Sequence, residues 1–316
     1  GAESLAGAGD DHDANRRIIR RAGLPGNAFA IHQADELTVT NGTHDLWTDR
    51  YLTLLDVPAA EPSMDHLTSL IDAQFRTIPF ENITSLSRRL DTGTGLVPDL
   101  DLDQLLANWE AKSGGGVCYE IVTMFHQLLL NLGYDAHLIL AQISFPDGHQ
   151  ALLVNLDGTD WLVDVGTASP VFRPITLQGP DAIACAGVDF RFRADETDPR
   201  YWLQERLIDG EWKRSCRYDL EPPTEERRIA AYQLHHTIGS SWVVDTLRMA
   251  CWRNNIGYSI SGNQLTILKE SGKHLVSLDS PEQYRDIVSR PEAYNVPNLP
   301  IDRAFREHPT FAPIKS

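Results

Sequence analysis

Cysteine is scarce in this 316-residue chain. There are four, Cys118, Cys185, Cys216 and Cys251, far apart and with no Cys-x-x-Cys pair. That pattern excludes a disulfide framework and lacks the ligand spacing of structural zinc; no metal site is expected. It points to a reducing, cytoplasmic setting. Basic side chains are also few, 28 against 44 acidic ones, for a formal net charge of −16. A chain with that balance has no broad basic footprint, so nucleic acid and anionic membrane are not expected as partners. No apolar run is long enough to span a bilayer. The opening stretch "GAESLAGAGDDHDANRRIIRRAG" has no apolar signal-peptide core. Repeats and low-complexity tracts are missing too. What remains is the make-up of an ordinary globular protein with about two domains' worth of chain.

Residues 1–43 read as a polar extension with one short helix in "DANRRIIRRAG". Helical spacing follows. "HDLWTDRYLTLLDV" carries Leu46, Tyr51, Leu54 and Leu55 on one face, and "PSMDHLTSLIDAQFRTIPF" carries Leu67, Leu70, Ile71 and Phe75, with Ser63 as N-cap and Pro79 as terminator. "LDQLLANWEAK" is a third helix. A fourth starts at Cys118, buries Val122, Phe125, Leu128, Leu129 and Leu132, and stops at Gly133. The period then changes. "DAHLILAQIS", "HQALLVNL", "WLVDVG", "DFRFRA", "YWLQERL" and "EWKRSCRYDL" read as strands, with "DGTDW" and "IDGEW" as hairpin connections. "GYSISGNQLTILKES" is a further hairpin, "SPEQYRDIVSR" a helix, and the proline-punctuated end an extended surface segment. Strands do not alternate with helices, so the class is α+β.

The chemistry centres on "GGGVCYE". A free cysteine is usually a small buried hydrophobe. At a helix start, however, the positive end of the helix dipole stabilises a thiolate, and a nucleophile is the second reading. A nucleophilic cysteine needs a base, and the base an orienting group. Among eleven histidines, His149 is the best placed. It opens the strand "HQALLVNL", and the returning strand carries Asp164 between Val163 and Val165. If Asp157-Gly158 is a two-residue turn, Asp164 faces Ala151 and is the diagonal neighbour of His149, roughly 7–8 Å away at Cα. An aspartate in so apolar a strand is costly to bury unless something satisfies it.

These residues resemble the arylamine N-acetyltransferases, with their Pro-Phe-Glu-Asn-Leu segment, Arg-Gly-Gly-x-Cys-x-Glu nucleophile motif, strand-opening histidine and Val-Asp-Val-Gly-Phe-Gly motif. The counterparts are "TIPFENI" (Thr77–Ile83), "GGGVCYE" (Gly114–Glu120), "HQALLVNL" from His149 and "LVDVGTA" (Leu162–Ala168). The tail "NQLTILKESGKHLVSLDSPEQYRDIV" matches in the same order. The resemblance implies a helical bundle (44–133) bearing the nucleophile, an antiparallel β-barrel (134–238) bearing the histidine and aspartate, a small α/β lid (239–295) and a tail (296–316). It implies a papain-like catalytic triad of Cys118, His149 and Asp164. The reaction implied is ping-pong, an acyl group passing from a thioester, typically acetyl-coenzyme A, to the cysteine and then to an amine. No permanently bound cofactor is implied. Thioester exchange needs a thiolate, not a strongly electrophilic metal.

Two departures stand out. Gly114 replaces the family's arginine, which pairs with the glutamate of Pro-Phe-Glu-Asn-Leu, so Glu81 needs another partner; Arg76 and Lys112 are the candidates. Thr167-Ala168 replaces Phe-Gly, and a threonine is expected to leave a roomier, more polar acceptor pocket. Phe80, Val117 and Thr167 are the expected pocket residues, with Glu81 and Glu120 in support. The alternative function is that of the family's amide synthases in antibiotic biosynthesis, which move a larger acyl chain from an acyl carrier protein to an amine. A cysteine hydrolase is a further reading that the triad alone would permit.

Overall fold

The apolar stripes of the first half become helices, described with the rest of the fold from a computed structural model covering residues 46–91, 100–237 and 245–307. The extension expected over residues 1–43 lies outside the described residues. Helix α1 (Leu46–Leu55) packs on α2 (Met64–Thr77). Ser63 caps α2 by accepting from the His66 N–H at 3.2 Å, and Ile78 turns extended before Pro79. The short strand β1 (Phe80–Glu81) leads into α3 (Ile83–Asp91), which the sequence reading missed. The buried face of α3 mixes Ile83 and Leu86 with Thr84, Ser85 and Arg89, so its apolar stripe is faint. Helix α4 (Leu102–Glu110) is capped by Asp101. Helix α5 (Cys118–Asn131) begins and buries Val122, Phe125, Leu128 and Leu129 as its spacing predicts.

The next eight strands are β2 (Asp135–Gln142), β3 (His149–Leu156), β4 (Thr159–Val163), β5 (Ile175–Thr176), β6 (Asp181–Cys185), β7 (Val188–Ala194), β8 (Tyr201–Ile208) and β9 (Glu211–Asp219). They form one antiparallel sheet in the order β5-β4-β3-β2-β9-β8-β7-β6. The sheet curls into a nearly closed barrel, since its two edges are neighbours in the chain. Arg173 clamps them with a bidentate pair to Asp181 at 2.7 and 2.8 Å. Asp157 and Gly158 both have positive φ, 52° and 76°, and join Leu156 to Thr159 as the expected two-residue turn. The barrel interior and helices α1, α2, α4 and α5 share one core.

Helix α6 (Glu225–His236) also escaped the sequence reading; it lays Ala231 and Tyr232 against Cys118 and Tyr119. Strands β10 (Arg248–Arg253), β11 (Ile256–Ser261), β12 (Gln264–Lys269) and β13 (Gly272–Ser277) make a second sheet. Its edge is β1, with Phe80 opposite Ala250, so the small C-terminal part shares its sheet with the helical part. Helices α7 (Pro281–Ser289) and α8 (Ile301–Glu307) cover this sheet. Residues 297–307 depart from the extended surface segment expected there: Ile301, Ala304 and Phe305 are buried in the second core; the rest of that segment, 308–316, lies outside the described residues. The prolines at 297 and 300 only delay the helix, which starts after Pro300. Among the described residues no helix is long and apolar enough to cross a membrane.

Phe305 meets Tyr284 edge to face with centroids 5.0 Å apart. Phe305→Ala should therefore cost about 3 kcal/mol in urea unfolding. A loss below about 1 kcal/mol, the range of surface substitutions, would show that α8 is not docked.

Candidate active site

Cys118 is the first residue of α5, with Val117 as N-cap and the Glu120 carboxylate reaching back to the Val117 N–H at 2.6 Å. The glycines ahead of it permit close approach. A Cβ on Gly115 would collide with the Pro79 carbonyl, and one on Gly116 would come within 2.8 Å of Glu120 Oε2. A Cβ on Gly166 would lie 3.0 Å from the Cys118 Cα and Cβ. The loop after Asp164 can therefore press against the cysteine only because position 166 has no side chain.

The expected hairpin register places Val163 opposite Leu152 and brings Asp164 back beside the start of β3. His149 Nε2 lies 2.8 Å from Asp164 Oδ2, and each residue is about 1 % exposed. The other side of the imidazole bonds the Cys118 thiol, which leaves Nδ1 for the sulfur. The structure thus brings together the three residues expected to act as a unit. It adds one the sequence did not reveal. Tyr218 donates its hydroxyl proton to Asp164 Oδ2 at 2.8 Å, and the Gly166 N–H bonds Oδ1 at 3.1 Å. Gln204 lies 2.9 Å from the same hydroxyl. The phenol has one proton, so Gln204 serves this network best with its amide turned to donate. Tyr218 reaches Asp164 because β9 pairs with β2, Tyr218 sitting opposite Ala141 and Ala141 opposite His149.

Burial lowers the proton affinity of His149, but the charge and hydrogen bond of Asp164, with the Cys118 sulfur behind them, outweigh it and raise its pKa to about 10. A protonated imidazole beside the sulfur favours the thiolate. At Cys251 and Cys185 burial outweighs the opposing charges of Arg253 and Arg76. Burial raises the Cys251 thiol to about 12, and it pushes Cys216 and Cys185 up as well.

The expected pocket residues divide. Phe80 and Thr167 line one cavity with Phe75, Ile121, Ala250 and Trp252; Val117, 1 % exposed, is spent on the helix start. This cavity holds only about 10 Å³, about the least that a single water occupies. Among the described residues, Thr167 opens no larger space at this point. Trp252 fills the space: its indole N–H donates to the Ala168 carbonyl at 3.0 Å and its ring meets Phe172 edge to face at 5.9 Å. Thr167 turns its hydroxyl to the Ser169 N–H.

Glu81 and Glu120 are fully buried. Neither expected partner of Glu81 reaches it. Arg76 pairs with Asp72 at 2.6 Å and Lys112 reaches Asn295 at 3.3 Å. Glu81 instead accepts from the backbone N–H groups of Ile83 (2.6 Å), Thr84 (3.0 Å) and Gly115 (2.9 Å), and from the Thr84 hydroxyl. It caps the start of α3 and anchors the glycine segment at once.

Comparison with known proteins agrees with this geometry. The sequence model of a family described as N-acetyltransferase matches residues 63–292. The chain is 28 % identical over 241 residues to the proansamycin X synthase of Amycolatopsis mediterranei, covering 72 % of this chain and 89 % of that one. It is 25 % identical over 253 residues to an arylamine N-acetyltransferase of Mycolicibacterium smegmatis, covering 75 % and 88 %. Its fold matches that of the Mycobacterium marinum arylamine N-acetyltransferase solved in complex with CoA, with a TM-score of 0.68 at 21 % identity over 79 % of this chain and 93 % of that one.

The raised proton affinity of His149 stabilises the fold fully below the ordinary imidazole pKa of 6.5, and that contribution is lost as pH rises through about 10. The stability difference between the protein and its Asp164→Asn variant should accordingly narrow from pH 7 to pH 10 in urea unfolding. A difference that stays constant or widens would mean that His149 is neutral in the fold.

Proposed function

The chain belongs to the N-acetyltransferase family, and from that premise we propose that Cys118, His149 and Asp164 carry its transfer of an acyl group from a thioester to an amine. The observation that carries this assignment is the contact chain from the thiol through His149 to Asp164 at the start of α5. The Cys118 thiolate attacks the thioester carbonyl, and the positive end of the α5 dipole lies where the oxyanion develops. The carbon–sulfur bond of the donor then breaks, and His149 gives its proton to the departing thiol. In the second half the amine attacks the acyl-cysteine, His149 takes the amine's proton, and Cys118 leaves as thiolate. Asp164, held by Tyr218 and the Gly166 N–H, keeps Nε2 protonated and Nδ1 turned to the sulfur. A reducing, cytoplasmic setting suits an activated thiol of this kind.

The donor we favour is acetyl-coenzyme A. A solved relative of the same fold is in complex with CoA, and the family model is that of N-acetyltransferases. The second reading is an amide synthase that takes a longer chain from an acyl carrier protein, supported by the match to proansamycin X synthase. The two readings share every step at Cys118 and differ only in what the pocket must hold.

Incubation with acetyl-coenzyme A should add one acetyl group to Cys118, seen by intact mass and peptide mapping, and Cys118→Ser should remove the adduct without loss of fold. An adduct formed only from a long carrier-bound thioester would move the assignment to the second reading. No adduct from any thioester would sink acyl transfer through Cys118. Trp252→Ala should change the choice of donor, raising kcat/KM for long-chain over acetyl thioesters by about 10-fold, the scale that pocket-filling groups command. An unchanged ratio would show that Trp252 does not bound the acyl site.

A further inference from the structure

Two carboxylates, Glu81 and Glu120, are buried behind Cys118 and need strong partners. The loop position ahead of them, Gly114, has no room for a side chain that could serve them. A Cβ on Gly114 would collide with Thr84 Cγ2 and lie 3.0 Å from Glu81 Oε1. Glu81 and Glu120 are both 0 % exposed, and burying a carboxylate is costly unless strong partners serve it. Between them they hold the segment that delivers Cys118: Glu81 Oε1 takes the Gly115 N–H at 2.9 Å, and Glu120 Oε2 takes the Val117 N–H at 2.6 Å.

The cation comes from the other side. Arg88 projects from α3, and its Nη2 pairs with Glu120 Oε1. Burial lowers the proton affinity of Arg88, and Tyr232 and Glu81 act in the opposite direction. The remaining groups around it do not replace it. Arg89, its neighbour on α3, is turned to the His236 carbonyl at 2.8 Å. His236 Nε2 approaches Glu120 Oε1 at 3.6 Å, but burial pushes that imidazole down to about 3, so it brings no charge.

We propose that Arg88 is the positioning residue of the nucleophile: its guanidinium, reaching from α3, holds the buried Glu120 carboxylate in place and through it fixes the Val117 N–H at the start of the helix that presents Cys118. This rests on Cys118 being the nucleophile, but its test does not rest on acyl transfer.

The test is the pH dependence of Cys118 alkylation by iodoacetamide, followed by peptide mass, with thermal unfolding alongside. Arg88→Met should move the acid limb about one pH unit to the alkaline side, a loss of about 10-fold in rate on that limb. The uncompensated carboxylate then opposes the thiolate. Glu120→Gln alone, which leaves Arg88 in excess, should move the limb in the acid direction. The double variant should return it most of the way to its original position. Should Arg88→Met not fold, Glu120→Gln and the double variant still decide by the sign and the return of the shift. A side chain that only packs would lower the unfolding temperature and leave the limb in place. That outcome, or an alkaline shift that Glu120→Gln does not reverse, would overturn the proposal. An enzyme that forms no acyl adduct but shows these shifts would sink the acyl-transfer reading and leave Arg88 standing.

Discussion

The arrangement turns on one hydrogen bond, His149 Nε2 to Asp164 Oδ2 at 2.8 Å, between two residues that water barely reaches. Burying such a pair costs several kcal/mol per ion unless every remaining lone pair is served. Asp164 is served by Tyr218 and by the Gly166 N–H, and the far side of the imidazole by the Cys118 thiol. Each of these demands something of the fold. Tyr218 requires that β9 pair with β2. The Gly166 contact requires a residue without a side chain against Cys118. The His149–Asp164 approach requires the two-residue turn at Asp157-Gly158, because a shift of one residue would send Asp164 to the other face of the sheet.

The second constraint is how closely backbone approaches backbone in front of α5. Gly115 and Gly116 let the chain lie against Pro79 and the Glu120 carboxylate, and the Glu81 N–H bonds the Gly116 carbonyl at 2.9 Å. The same short strand, β1, is the edge of the second sheet. The nucleophile segment therefore touches the helical core on one side and, through β1, the C-terminal sheet on the other. Trp252 completes the connection by bonding Ala168, two residues beyond Gly166. Three regions of chain meet within a few residues of the sulfur.

The parts of this that the sequence revealed are local. A cysteine at a glycine–helix junction, a histidine opening a strand and an aspartate returning across a two-residue turn are linked by motif and by period, so their meeting could be reasoned out. The rest was illegible for definite reasons. Tyr218 joins Asp164 through a pairing between β2 and β9 that no short-range signal encodes. Arg88 and Arg89 sit on a helix whose buried face is too polar to announce itself. The final prolines suggested an extended tail, although a helix can start directly after Pro300. In each case tertiary contact overrode a local expectation.

Chemistry and selectivity are consequently written in different places. The proposed proton path runs through Cys118, His149, Asp164 and Tyr218, joined by buried hydrogen bonds. Phe80, Thr167 and Trp252 line a separate small cavity whose lining includes none of these four. Substitutions that alter packing alone shift selectivity by only a few kcal/mol. That separation reconciles the two kinds of relative. An arylamine N-acetyltransferase and a proansamycin X synthase are similar to the same chain at comparable identity, as expected where the residues that make the bond and those that shape the acyl site are different ones.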